Sequence, residues 1–121
     1  MTRLSLIVFT TLFTLIGFVA PSLAREDPAG IAAVSLDELP VQARTILELI
    51  KKGGPFKYEK DGVVFGNFEK RLPAKKRGYY REYTVPTPKA KNRGARRIVA
   101  GVPGEYYYTD DHYNSFKRIK E

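Results

Sequence analysis

The chain carries one helix-period stripe, and nearly everything after it is written in short strand-like pieces. Ala43, Ile46, Leu47 and Ile50 fall at i, i+3, i+4 and i+7, so they share one face of a helix of about three turns, with Val41 and Leu49 beside it. Asp37-Glu38-Leu39-Pro40 reads as the start of that helix, because negative charge suits the N-terminal end and proline fits the first turn. Lys51 and Lys52 occupy its last turn, and Gly53-Gly54-Pro55 stops it. After Pro55 the period changes. Val63-Val64-Phe65, Tyr79 to Val85, Arg97 to Ala100, Glu105 to Thr109 and Phe116 to Ile119 are rich in β-branched or aromatic residues. Asp61-Gly62, Lys76-Arg77-Gly78, Asn92-Arg93-Gly94 and Pro103-Gly104 are turn signals between them. The pattern predicts an α+β domain, one N-terminal helix packed on a twisted antiparallel β-sheet. The helix covers one face of such a sheet and leaves the other open to a ligand.

The N-terminus follows a different logic. Arg3 precedes an apolar run from Leu4 to Ala20, and Pro21-Ser22-Leu23-Ala24 ends it. A charged start, an apolar core and a small-x-small exit form a secretory signal peptide, here residues 1–24 with cleavage after Ala24. The alternative is a transmembrane anchor, for which the run is about long enough; the small-residue exit favours cleavage. The mature protein is then one domain, residues 25–121, secreted to the extracellular space, with residues 25 to about 36 a loose polar lead. Removing Arg3 lowers the formal charge from +8 to +7. There is no cysteine, so neither a disulfide nor a thiolate metal site supports this small core. The positive charge favours a polyanionic partner, with strong salt dependence. The helix at 41–52 has only Arg44, Lys51 and Lys52 as basic residues, which argues against a membrane-active helix and any stable membrane association. A monomer is expected.

Three kinds of residue could carry chemistry. His112 is the single histidine, on the turn that Asp110-Asp111 signals after Thr109. A lone histidine is more often structural, but a loop tip can present it to a ligand, and it titrates near neutrality. Glu82 shares a strand face with Tyr80 and Thr84, where a carboxylate is either a cross-strand ion-pair partner or a site residue. Arg93, Arg96 and Arg97 form a basic cluster; Arg93 fits a solvated charge run, whereas Arg97 opens an apolar strand and would need an anion there. Glu82 or a substrate phosphate could be that anion. A carboxylate, one histidine and arginines meet the needs of RNA cleavage by its own 2′-oxygen. That step takes a base at the 2′-OH, an acid at the departing 5′-oxygen and cations around the phosphoryl oxygens. With one histidine, Glu82 as base and His112 as acid is the available division. No metal-ligand spacing and no cofactor motif is visible. A non-catalytic basic module that binds nucleic acid would need the arginines and aromatics but not Glu82 with His112.

Four ordered blocks carry a resemblance: Asp61-Gly62-Val63-Val64-Phe65-Gly66-Asn67-Phe68-Glu69, Gly78 to Val85, Arg93 to Val99, and Tyr107-Tyr108-Thr109-Asp110-Asp111-His112-Tyr113. Together they resemble the guanyl-specific microbial ribonuclease family, barnase-like and nearest its streptomycete branch, over about Leu36 to Ile119. The resemblance implies the microbial ribonuclease fold and an endoribonuclease acting on single-stranded RNA after guanosine. It gives a 2′,3′-cyclic phosphate that is then hydrolysed to the 3′-phosphate, without metal. It implies Glu82 as general base, His112 as general acid, and Arg93, Arg97 and Tyr113 on the phosphate. It also implies that Glu69 accepts from the guanine N1–H and exocyclic amine, and that backbone amides around Phe65, Gly66 and Asn67 donate to O6. Phe65 would cover the base, and Asn67 would shape the loop, since asparagine tolerates unusual turn geometry. From composition alone Glu69 is a surface charge beside Lys70 and Arg71. An acidic intracellular inhibitor of the barstar kind is the partner such an enzyme implies. Three features depart from the family pattern: no cysteine where streptomycete relatives carry a disulfide, Gly66 in place of a larger residue, and Phe68 where a polar or basic side chain is usual.

Overall fold

The structure is a computed structural model that describes residues 30–121; the expected signal peptide and cleavage point lie outside them. Strand β1 spans Ala33–Ser35 and leads through a single 3-10 turn, Leu36–Glu38, to helix α1, Val41–Lys52. Four strands follow: β2 Tyr80–Thr84, β3 Arg97–Gly101, β4 Glu105–Thr109 and β5 Lys117–Lys120. They form one sheet in the order β1-β5-β4-β3-β2.

Helix α1 starts and stops for local reasons. The acidic Asp37-Glu38 pair lies in the separate turn before it, where Glu38 Oε1 accepts from the Ser35 amide at 2.9 Å. Pro40 bridges turn and helix, and its carbonyl accepts from the Ala43 and Arg44 amides. At the far end Gly53 takes φ 92°, a left-handed conformation that glycine adopts without steric cost, and the Gly53 and Gly54 amides return to the Leu49 carbonyl at 2.9 Å each. Ala43, Ile46 and Leu47 are buried as the stripe predicts, against Val85, Ile98, Tyr108 and Ile119. Each fully buried aliphatic of this size contributes about 1.5–3 kcal/mol relative to exposure, so this face holds the helix in place.

Adjacent sheet residues serve opposite faces. Ile98 and Tyr108 face the helix, while Val99 and Tyr107 join Tyr80, Leu72 and Ile31 in a second cluster. Phe65, Tyr113 and Phe116 pack on that second cluster. The face expected to be open therefore carries its own aromatic core, built by the segment 63–72 and the loop after β4.

Two expectations about strands need correction. The sheet is mixed rather than wholly antiparallel: β2, β3, β4 and β5 pair antiparallel in sequence, but β1 runs parallel to β5, with Ala33 opposite Arg118. The polar lead was too short and too weakly β-branched to reveal a pairing that depends on a partner 85 residues away. Val63-Val64-Phe65 forms only an isolated bridge, Val64 to Arg81, flanked by bonds from Gly62 and Phe65 amides to β2 carbonyls. The chain then leaves the sheet because Asn67 turns it, at φ 54°.

Candidate active site

At the sheet end where Thr84, Arg97 and Thr109 lie side by side, the second face meets two loops. A cavity of about 550 Å³ opens there. Phe65, Gly66, Asn67 and Glu69 contribute lining from the loop after the Val64 bridge; Glu82, His112 and Tyr113 of the predicted set line it too. Arg93 and Arg97 bind to Glu82 from the adjoining strand and loop. All nine residues expected at the site are therefore close to one another.

Glu82 is held by cations. Arg93 Nη2 donates to Glu82 Oε1 at 2.8 Å, and Arg93 Nε donates to Thr84 Oγ1 at 2.9 Å. Arg97 Nε lies 3.9 Å from the same Oε1. Its residue is only 2% exposed, so its charge needs fixed acceptors. Arg97 Nη1 donates to the Gly94 and Arg96 carbonyls at 3.0 and 2.9 Å, and Nε to the Tyr113 hydroxyl at 3.1 Å. The sequence left open whether Glu82 was an ion-pair partner or a site residue; it is an ion-pair partner that also faces the cavity. Burial first, then the negative Glu82 carboxylate, push the Tyr113 hydroxyl up to about 12, against the opposing pull of Arg97.

His112 and Tyr113 sit in an unusual backbone. Both have positive φ, 57° and 73°, which costs about 1–3 kcal/mol per residue for side chains of this kind. Asp111 holds them there. Its carboxylate accepts from Thr109 Oγ1 at 2.8 Å, from the Ser115 amide at 2.9 Å and from Ser115 Oγ at 2.6 Å. Thr109, itself buried, accepts from the Tyr113 amide at 3.2 Å. The Ser115 hydroxyl leads the causes that lower the Asp111 carboxyl to about 2. A further bond, from the His112 amide to the Ala95 carbonyl at 3.0 Å, ties the histidine loop to the arginine loop. The His112 side chain stands exposed at the rim.

The loop from Phe65 to Glu69 is clamped through Asn67. Its Nδ2 donates to the Leu72 carbonyl at 2.9 Å, and its Oδ1 accepts from the Leu72 amide at 3.1 Å. Asn67 thus shapes the loop, as its residue type suggested. The Phe65 ring stacks on Tyr113 at 5.0 Å, linking the two halves of the cavity. Glu69 remains largely in solvent, paired with Arg71 Nε at 3.1 Å. Among the described residues no cluster of three His, Cys, Asp or Glu side chains is gathered as for a metal ion.

This arrangement has counterparts. The sequence profile of the ribonuclease family matches residues 23–120. The chain is 54% identical over 91 residues to guanyl-specific ribonuclease St of Saccharopolyspora erythraea, covering 75% of this chain and 90% of that one. This chain belongs to the guanyl-specific microbial ribonuclease family. It is also 52% identical over 89 residues to guanyl-specific ribonuclease Sa of Kitasatospora aureofaciens, covering 73% of this chain and 93% of that one. Among solved structures, ribonuclease Sa2 in complexes with mononucleotides superposes with a TM-score of 0.75 at 52% identity, over 78% of this chain and 98% of that one. Ribonuclease Sa2 with guanosine-2′-cyclophosphate gives 0.71 at 51% identity, over 74% and 96%. The fold expected from the sequence is thus the fold of this ribonuclease family.

Sequence reasoning missed several contributors to this ribonuclease site. Thr84 was placed on the right strand face but not recognised as the acceptor that orients Arg93. Asp111 was read only as a turn residue, although Asp two residues after a strand-end threonine is a signal for a side-chain-capped turn. Arg71, Asn114 and Phe116 also line the cavity. Their identity gave no sign of it, because the loops that bring them there have no periodicity.

Proposed function

We propose that this cavity cleaves single-stranded RNA on the 3′ side of guanosine, with Glu82 and His112 exchanging the two protons of the reaction. The protein is a guanyl-preferring endoribonuclease that acts through a 2′,3′-cyclic phosphate. The Glu82 carboxylate removes the proton from the 2′-OH as the 2′-oxygen attacks phosphorus. The bond from phosphorus to the 5′-oxygen breaks, and His112 gives that oxygen its proton. Arg93 and Arg97 sit where negative charge builds on the phosphoryl oxygens, and fixed cations of this kind are worth about 10²–10³ in rate. In the second step the roles reverse: His112 takes a proton from water as the water oxygen attacks phosphorus, the bond from phosphorus to the 2′-oxygen breaks, and Glu82 returns a proton to that oxygen. Every group the reaction needs is a side chain of this protein, so activity should persist in chelator.

Guanine preference rests on the loop from Phe65 to Glu69. The Glu69 carboxylate matches the N1–H and amino donors of guanine, and backbone amides of the clamped loop match O6. Adenine presents neither set. Phe65 lies between the base side and Tyr113, which suits it to cover the base while Tyr113 meets the phosphate. The signal pattern in residues 1–24 supports secretion, and the net positive charge of the protein suits an acidic barstar-like inhibitor in the producing cell.

The single observation that carries this reading is the Glu82 carboxylate held by two arginines in a cavity rimmed by the only histidine. The test is a labelled oligoribonucleotide with one guanosine, incubated in chelator. Cleavage after that guanosine is expected, with the matching DNA left intact because it lacks the 2′-OH. No cleavage of the RNA, or cleavage that ignores the guanosine, overturns the proposal.

A further inference from the structure

One half-buried carboxylate, Asp61, stands outside the chemistry described above; the sequence marks Asp61-Gly62 only as a turn. Strand β2 is the last in the sheet order, and the segment 61–65 runs along its outer edge. The Gly62 amide donates to the Glu82 carbonyl at 2.7 Å, and the Glu82 amide donates to the Val63 carbonyl at 3.0 Å. At Thr84 a side chain takes over from this backbone pairing. Asp61 Oδ1 accepts from the Thr84 amide at 2.7 Å, while Oδ2 accepts from the Tyr58 amide at 3.0 Å, so the carboxylate is pinned through both oxygens. Thr84 is only 1% exposed, and its hydroxyl accepts from Arg93 Nε at 2.9 Å. Arg93 Nη2 in turn donates to Glu82 Oε1 at 2.8 Å. Hydrogen bonds therefore run from Asp61 through Thr84 and Arg93 to Glu82.

We infer that Asp61 is a positioning residue for the reaction. It fixes the end of β2 at Thr84, and through the Thr84 hydroxyl it sets Arg93 against Glu82 and the phosphate. The position calls for a carboxylate. Both partners of Asp61 are N–H donors, and an ionised carboxylate only accepts. Asparagine has the same shape, yet it would turn its own amide donor toward one of those two donors. The 2.7 Å bond from the Thr84 amide is of the short, charge-assisted kind, which holds its partner more firmly than a neutral bond. This inference deepens the ribonuclease reading and rests on it for the roles of Glu82 and Arg93.

The test is kcat and KM for GpU, with urea unfolding, on Asp61→Asn and Thr84→Val, each alone and combined with Arg93→Gln. Asp61→Asn should lower kcat at least about ten-fold with KM within about two-fold, because a displaced arginine is missed chiefly as charge builds on the phosphoryl oxygens. In the Arg93→Gln background the same change should cost about two-fold or less, since the group it displaces is gone. Its shift in urea midpoint should be the same in both backgrounds. An equal fall in kcat in both backgrounds, or a rise in KM in place of the fall in kcat, makes Asp61 merely structural and overturns the proposal. Thr84→Val removes only the hydroxyl and leaves the amide bonded to Asp61. It should reproduce the kcat loss and the same dependence on Arg93. Unchanged kcat in Thr84→Val overturns the proposal even if Asp61→Asn does not fold, because the path to Arg93 runs through that hydroxyl. Failure of the ribonuclease reading would show separately, as an unchanged rate in Arg93→Gln alone.

Discussion

Asn67 offers the sharpest test of how the loop proposed to read guanine is built. Replacing it with alanine removes two well-formed bonds to Leu72, at 2.9 and 3.1 Å, and a longer one to Pro73 at 3.4 Å. Each good bond is worth about 1 kcal/mol net, so about 2 kcal/mol is lost with the side chain. The backbone adds a further cost. Asn67 has φ 54°, where an alanine Cβ is disfavoured by about 1–2 kcal/mol, and asparagine offsets part of that by its local bonding. Asn67→Ala should therefore destabilise the domain by about 3 kcal/mol, which for a domain of this size lowers Tm by roughly 12–24 °C. Asn67→Gly removes the same bonds but accepts the positive φ, so it should cost about 1 kcal/mol less than alanine. Urea unfolding of both variants gives the two terms. The same loop carries the groups proposed to read guanine, so KM for a guanosine dinucleotide should rise in both variants more than kcat falls. A loss below about 1 kcal/mol in Asn67→Ala, or equal losses in the two variants, would refute this reasoning.

Glu69→Gln keeps the size of the side chain but loses the anion that accepts both guanine donors, so the ratio of kcat/KM for GpU over ApU should fall by about 10²-fold; steady-state assays on the two dinucleotides check it. Asp111 is held ionised by its partners, with its carboxyl lowered from 3.8 to about 2. Its contribution is therefore full above pH 3.8 and lost as pH falls toward 2, and Asp111→Asn should flatten the stability profile across that window in acid unfolding followed by circular dichroism. At the other extreme, burial raises the Tyr113 hydroxyl to about 12 and those of Tyr80 and Tyr107 further still. These phenols ionise more easily once unfolded, so stability should hold below pH 10 and decline as pH rises toward 12, with ultraviolet absorbance reporting phenolate appearing together with unfolding.

Much of the fold was readable because local pattern and tertiary packing agree. The helix stripe of Ala43, Ile46 and Leu47 is buried as written, and Glu105–Thr109 is a strand at its expected bounds. What was not readable depends on distant partners. Ala33–Ser35 becomes a strand only because β5 lies beside it, and Val63-Val64-Phe65 fails to extend because Asn67 turns the chain away. The site divides in the same way. Glu82 and Arg97 were suggested by polar residues interrupting apolar strands, and their proximity follows from strand pairing that puts Thr84 opposite Arg97. Glu69, exposed beside Lys70 and Arg71, carries no such signal; only resemblance to the family singles it out. Asp111 and Thr84 act through other residues, and a sequence shows such support only when the supported geometry is known.

The division of labour between Glu82 and His112 is tested most directly by following GpU through chromatography in chelator, for the unmodified protein, Glu82→Gln and His112→Ala. Guanosine 2′,3′-cyclic phosphate should appear first and the 3′-phosphate only later. Each variant should form the cyclic product about 10²–10⁴-fold more slowly, the usual span for a removed general acid or base. Direct appearance of the 3′-phosphate, or undiminished cyclic product from either variant, would contradict it.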